Sequence, residues 1–229
     1  WTSDSTIRPS RDFAPGFELV LVNLIRERVK AWREQGSPGV TRTTLELLEW
    51  WRRDGREKRL FYAQLEAAET VIFLTEARPD VRQGIEVPRD EPSDEKKADG
   101  FAGFLRYACK MATGSGKTKV LSLLVAWSYF HKLYEPDSTL ARNMLLIAPN
   151  IIVLDRLRTD FDGLKIFFND PVLPGNGFDG RNWRDDFQLT LHIQDEVRIV
   201  RPVGNLFLTN IHRVYLGDVT ERSLEDDDL

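Results

Sequence analysis

Met111-Ala112-Thr113-Gly114-Ser115-Gly116-Lys117-Thr118 is the stretch on which the reading of this chain turns. A mostly apolar run, Phe104 to Met111, leads into it, and a strongly apolar segment, Val120 to Phe130, follows. That order predicts a strand, a glycine turn and a helix, the setting of a phosphate-binding loop. Gly114 and Gly116 lack a Cβ, so consecutive backbone N–H groups can close around phosphate oxygens at the positive end of a helix dipole. Lys117 then sets its ammonium on the β- and γ-phosphates, and the Thr118 hydroxyl ligates magnesium. Thr113, Gly114, Ser115, Gly116, Lys117 and Thr118 are the expected contacts to ATP and Mg2+, with Lys117 and Thr118 in the catalytic role. The competing reading is a glycine-rich loop without chemistry. Met111 stands where many such loops carry glycine.

The 229 residues suffice for one large domain or two small ones with a sizeable core. A hydrophobic share of 41% and a charged share of 30% describe an ordinary soluble protein, and the longest apolar runs fall far short of a membrane span. The net charge of −4 argues against a surface coated in basic residues, yet leaves room for a local basic track. No signal peptide opens the chain and Cys109 is its single cysteine, so the expected home is a reducing cytoplasm. Inside the strand expected before the glycine loop, Cys109 reads as a buried small hydrophobe rather than a nucleophile. The chain opens at Trp1 and closes in Leu224-Glu225-Asp226-Asp227-Asp228-Leu229, which reads as an interrupted acidic loop, so the expectation is a piece of something longer.

Residues 1 to 14 carry no period and read as an arm. Phe17, Leu21, Leu24, Ile25, Val29 and Trp32 recur at the spacing of one helix face, with Gly36 as a stop. Thr43 with Glu46 three residues on gives a capping-box signature for a second helix carrying Leu47, Leu48 and Trp51 and breaking near Gly55. Phe61, Leu65, Ala68 and Ile72 form the stripe of a third. Arg78 to Gly100 holds Pro79, Pro88 and Pro92 among charged runs and reads as a flexible surface loop. Met144 to Ala148 is a strand closed by Pro149; strand, helix and strand then make a βαβ unit with a parallel sheet. Ile151 to Phe161 reads as a helix burying Val153, Leu157 and Phe161, Pro171 to Arg184 as a loop, Phe187 to Ile193 as a half-exposed strand, and Leu206 to Thr209 as a short strand before a further turn or helix.

Arg106-Tyr107-Ala108-Cys109-Lys110-Met111 together with the glycine loop resembles motif I of superfamily 2 helicases, and the methionine at its head resembles the restriction-enzyme branch. Leu146-Ile147-Ala148-Pro149-Asn150 resembles motif Ia. Phe207-Leu208-Thr209-Asn210-Ile211-His212 resembles the Thr-Asn segment of the motor subunit of type III restriction endonucleases and related DEAD/DEAH-box proteins. The resemblance spans roughly residues 58 to 216 and rests on ordered short motifs. Motif I is highly specific; the other two gain weight from their order.

Gln64, in Phe61-Tyr62-Ala63-Gln64-Leu65-Glu66-Ala67, resembles the Q motif. A carboxamide donates to adenine N7 and accepts from the exocyclic amine, which selects ATP over GTP; the bland alternative is a surface glutamine on a helix. Pro149-Asn150 and Thr209-Asn210 fall where strands end and helices start, so their amides either meet DNA phosphates or are simply capped by asparagine. Asp195-Glu196 after a strand invites the reading of the second ATPase motif. The preceding strand alternates polar and apolar residues, so a solvated turn is preferred, with the functional Asp-Glu box expected beyond Leu229. His131, His192 and His212 show no metal-ligand spacing and read as polar-face residues. Trp50 and Trp51 read as a packing corner rather than a base-stacking platform.

The expected fold is α/β: an N-terminal arm and helical region over residues 1–57, then an incomplete RecA-like P-loop NTPase domain with a parallel sheet over 58–229. The resemblance implies an ATP hydrolase in the parent protein: an ATP-dependent DNA helicase or translocase of a restriction or antiviral defence system, partnered by DNA and by a modification methyltransferase subunit or a nuclease domain. A P-loop kinase or small-molecule ATPase, and a nucleotide-binding scaffold without turnover, remain the alternatives.

Overall fold

The computed structural model describes residues 19–87, 89–196 and 199–215. In chain order the elements are α1 (Val20–Glu34), α2 (Arg42–Arg52), α3 (Tyr62–Glu76), β1 (Arg89–Asp90), α4 (Asp94–Ala98), β2 (Phe104–Leu105), α5 (Lys117–Tyr134), β3 (Asn143–Ala148), α6 (Ile151–Phe161), α7 (Lys165–Phe168), β4 (Thr190–Ile193), β5 (Asn205–Asn210) and α8 (Ile211–Tyr215). Two compact units divide them. The first joins the described residues up to Val40 with Leu65–Ser115, and the second joins Thr41–Gln64 with the described residues from Gly116 onward.

In the first unit, α1 and the body of α3 pack through Val29, Trp32, Ala68, Ile72 and Phe73, all buried. Trp32 meets Phe73 edge to face at 5.5 Å between centroids, the preferred geometry for two quadrupoles. Arg33 Nε donates to the buried Glu69 Oε2 at 2.6 Å, so the acid that α3 buries is compensated. α1 stops as its sequence foretold: Gly36 takes φ +80°, and Ser37 N donates back to Trp32 O at 2.9 Å. Phe17, the first residue of the expected stripe, lies outside the described residues, as do the arm and the acidic C-terminal run.

Two expectations fail in this unit. Arg78 to Gly100 is exposed but locally structured: Ser93 caps α4, whose first turn is acidic and whose last is basic, an arrangement the helix dipole favours. Local hydrogen bonding supplies the order that apolar burial could not. The strand expected from Phe104 to Met111 is confined to Phe104–Leu105, paired antiparallel with Arg89–Asp90. Arg106 and Lys110 interrupt the apolar run and face solvent, as does Cys109, so the cysteine is not the buried hydrophobe expected.

The second unit holds the parallel sheet, ordered β3-β5-β4, with Leu145 opposite Phe207 and Leu191 opposite Leu206. Leu206 and Leu208 of the central β5 are buried, and α6 buries Leu154, Leu157 and Phe161; Leu154 replaces the expected Val153 because it lies one position nearer the centre of the buried arc. α5 is apolar nearly all round, the signature of an enclosed helix. Its Tyr129 and Phe130 pack against Phe187, and Phe130 also meets Trp183, so the loop after Pro171 closes over the core with aromatic anchors. Gly204 is required there, since a Cβ would come within 2.7 Å of the Tyr129 ring.

α2 starts two residues earlier than its capping-box signature, with Thr41 in place of Thr43 as the N-cap. Thr41, in extended conformation, accepts from Thr44 N, while Thr43 N donates to Glu135 Oε1 at 3.0 Å. Glu46 is drawn sideways to Arg181 at 2.9 Å instead of back to a cap. Trp51 is buried and donates to Val172 O at 2.9 Å, and Trp50 meets Phe178, so the pair forms a packing corner.

Candidate functional site

The glycine loop keeps its turn without the strand before it. In the first unit it ends on Thr113, Gly114 and Ser115: Gly114 takes φ +78° with open space where a Cβ would stand, and Ser115 Oγ donates to Ala112 O at 2.7 Å. In the second unit Gly116, at φ +80°, is the N-cap of α5, so Lys117 and Thr118 occupy its first turn. The first amides of an α-helix have no intrahelical acceptor and carry the positive end of its dipole. Gly114 and Gly116 each take the positive φ that glycine adopts without a Cβ penalty.

Gln64 is not a surface glutamine: it is 7% exposed. Its Oε1 accepts from Phe61 N at 3.0 Å, closing the first turn of α3, and its Nε2 lies where a Cβ on Gly116 would collide with it. Position 116 is therefore glycine for two independent reasons, its positive φ and the carboxamide against it.

Because all strands of the sheet run parallel, β3, β5 and β4 end on the same side, where a parallel sheet places its loops. Pro149 and Asn150 follow β3, and Asn150 Oδ1 accepts from Val153 N at 2.9 Å, capping α6. Thr209 and Asn210 finish β5. Asn210 Oδ1 accepts from Arg213 N at 3.2 Å, and its own amide donates to Gln194 Oε1 at 3.1 Å. Both asparagines thus cap helices. Gln194, which also accepts from Thr209 Oγ1 at 3.3 Å, was silent in the sequence; only the pairing of β4 with β5 brings it to Thr209.

Asp195 and Glu196 form an exposed turn after the edge strand β4. Asp195 pairs with Arg213 at 2.5 Å, and Glu196 pairs with Arg158. Among the histidines only His212 is exposed. His192 is buried, bonded to Asn205 Oδ1 at 2.9 Å and stacked on Phe207, and His131 is buried with Nδ1 2.6 Å from Ser138 Oγ. The polar-face expectation fails for both because each found a partner distant enough in sequence to leave no local signal.

A parallel sheet flanked by helices and a left-handed glycine turn opening a helix define an α/β domain of the RecA-like P-loop class. A family model described as type III restriction enzyme, res subunit, matches residues 57–216. The chain belongs to that family, and the matched region is a helicase-like ATP-binding domain. No curated protein and no solved structure matches the chain. Among the described residues no helix is long and apolar enough to cross a membrane.

Proposed function

We propose that this chain is the ATP-binding part of a DNA helicase or translocase of a restriction or antiviral defence system, acting in the cytoplasm beside a modification or nuclease component. The observation that carries the reading is the pair of left-handed glycines, Gly114 and Gly116, at the head of α5 in a member of this family. The residues fit a nucleotide with magnesium: Gly114 leaves open the space a Cβ would fill, and Lys117 and Thr118 stand on the first turn of α5. In this reading Thr113 to Thr118 would hold the phosphates, Lys117 would neutralise charge on them, and Thr118 would offer its hydroxyl to a magnesium ion, which would supply further positive charge against the charge developing in phosphoryl transfer. Gln64 contacts the adenine edge. Pro149, Asn150, Thr209 and Asn210 mark the strand-end segments that meet DNA phosphates in this reading; Pro149 has no N–H and the Asn210 amide is given to Gln194, so the donors left are first-turn amides of α6 that the Asn150 side chain does not cap.

Asp195 and Glu196, each held by an arginine in a solvated turn, are not the hydrolytic pair, so the chain binds nucleotide without turning it over. The test compares fluorescent-nucleotide binding and ATP hydrolysis, with and without DNA, in this chain and in its Lys117→Ala and Glu196→Gln variants. Binding that is lost in Lys117→Ala and untouched in Glu196→Gln is the expected result. Robust hydrolysis abolished by Glu196→Gln would return the chemistry to Asp195-Glu196, and nucleotide binding unaffected by Lys117→Ala would sink the ATPase reading.

A further inference from the structure

A second cluster of donors lies in the second unit, between the end of α2 and the segment that leads to α3. The Arg56 side chain is only 3% exposed, yet among the described residues none of its guanidinium nitrogens Nε, Nη1 or Nη2 has a hydrogen-bond acceptor. Asp170 Oδ1 stands 3.1 Å from Nη2, near enough to balance charge but off line for a hydrogen bond. The guanidinium carbon lies 4.7 Å from the centre of the Trp50 ring, and Arg53 covers the same ring at 4.1 Å. Trp50 Nε1 is likewise buried without an acceptor.

Buried donors left unmade cost the full desolvation of each group, and a guanidinium has five N–H groups and no acceptor of its own. Four orphaned nitrogens in contact therefore describe the imprint of a missing acceptor. Its charge is set by the surroundings: Arg53 adds a second cation, and burial pushes the Arg56 guanidinium down from its ordinary value, with Asp170 pulling it back up and Arg53 pushing it further down. Lys119, two residues beyond Lys117 on α5, is held below its ordinary value by burial and by Lys58, against the opposing pull of Asp160 and Asp170. Planar forks of this kind match tetrahedral oxyanions through paired N–H bonds.

We propose that Trp50, Arg53 and Arg56 form an oxyanion site for a phosphate group, made by residues other than those of the glycine loop, with Asp170 as the internal counter-ion that the phosphate displaces. Two sources share this chemistry, a DNA backbone phosphodiester and a free phosphate, and both are tested as probes.

The experiment uses this chain carrying Lys117→Ala, which takes the glycine loop out of the comparison and keeps the result independent of the proposed ATPase function. Inorganic phosphate and, separately, a short duplex DNA are titrated while heat and tryptophan fluorescence are followed. Saturable phosphate binding is expected. Arg56→Gln should weaken it about tenfold or more, the effect of losing bonds to a charged group. Trp50→Phe, which keeps a ring but removes one donor, should weaken it by a few-fold, and Asp170→Asn should tighten it by removing the carboxylate charge that competes for the guanidinium. DNA affinity that falls with Arg56→Gln assigns the phosphate to the backbone; DNA affinity that does not fall, with phosphate binding lost, assigns it to free phosphate. Absence of saturable phosphate binding, or equal affinity in the parent and in Asp170→Asn, overturns the site. The Asp170→Asn arm leaves Arg56 in place and so stands even where Arg56→Gln fails to fold.

Discussion

Two apolar runs of strand length meet opposite fates in this protein. Asn143–Ala148 becomes β3, paired residue for residue with β5, whereas Phe104–Met111 yields only two paired residues and then runs unpaired to the glycine loop. Asn143–Ala148 carries no charged residue, whereas Arg106 and Lys110 break the second run into pieces too short to hold a ladder; β3 also has a partner, a strand whose Leu206 and Leu208 are enclosed. Sheet stability resides in cross-strand pairs, so an apolar run without a neighbour gains little by extending.

The largest expected effect tests that contrast directly. Leu208→Ala, in the central strand and 1% exposed, should destabilise the second unit by about 2–5 kcal/mol, whereas Leu105→Ala, 47% exposed, should cost about 0.5 kcal/mol or less. Denaturant titrations of the two variants decide it, and a comparable loss at Leu105 would mean that Phe104–Met111 is sheet after all.

Gly204→Ala carries the comparison to a place where space is the issue. The added methyl meets the Tyr129 ring and, at 3.2 Å, the Arg142 carbonyl, so a loss of about 1–3 kcal/mol is expected, read as a lower thermal midpoint.

The two loop glycines sharpen it further. Gly114→Ala bears only the strain of a left-handed alanine, about 1 kcal/mol, while Gly116→Ala adds the collision with Gln64. Gln64→Ala placed on top of Gly116→Ala should recover part of the second loss. A double-mutant cycle on stability measures the coupling, and strict additivity would deny that the two groups touch.

The smallest effect is chemical rather than energetic. Cys109, exposed in the unpaired run, should react fully with a thiol reagent in the native protein, without denaturant. Protection that appears only when nucleotide or DNA is added would show the run becoming enclosed on binding.

The helices were legible because their signals are local. The stripe of Val29 and Trp32, the stop at Gly36 and the period of α6 each lie within one or two turns, and so does the glycine pattern that fixes the loop before α5. Errors gathered where an outcome depends on residues far away in the chain. Thr43 reads as a cap until Glu135 claims it, and His192 reads as solvent-facing until Asn205 and Phe207 enclose it.

By itself, then, the sequence determined the α/β class, the glycine loop with Lys117 and Thr118 at the head of a helix, and the family to which the chain belongs, because backbone conformation and motif chemistry are written in neighbouring letters. Only the tertiary structure decided which apolar runs became strands, which histidines were buried, and that Arg56 lies against Trp50 with its donors unmet. Each of those outcomes depends on what the other side of a contact supplies, and a single stretch of chain carries no record of its distant partner.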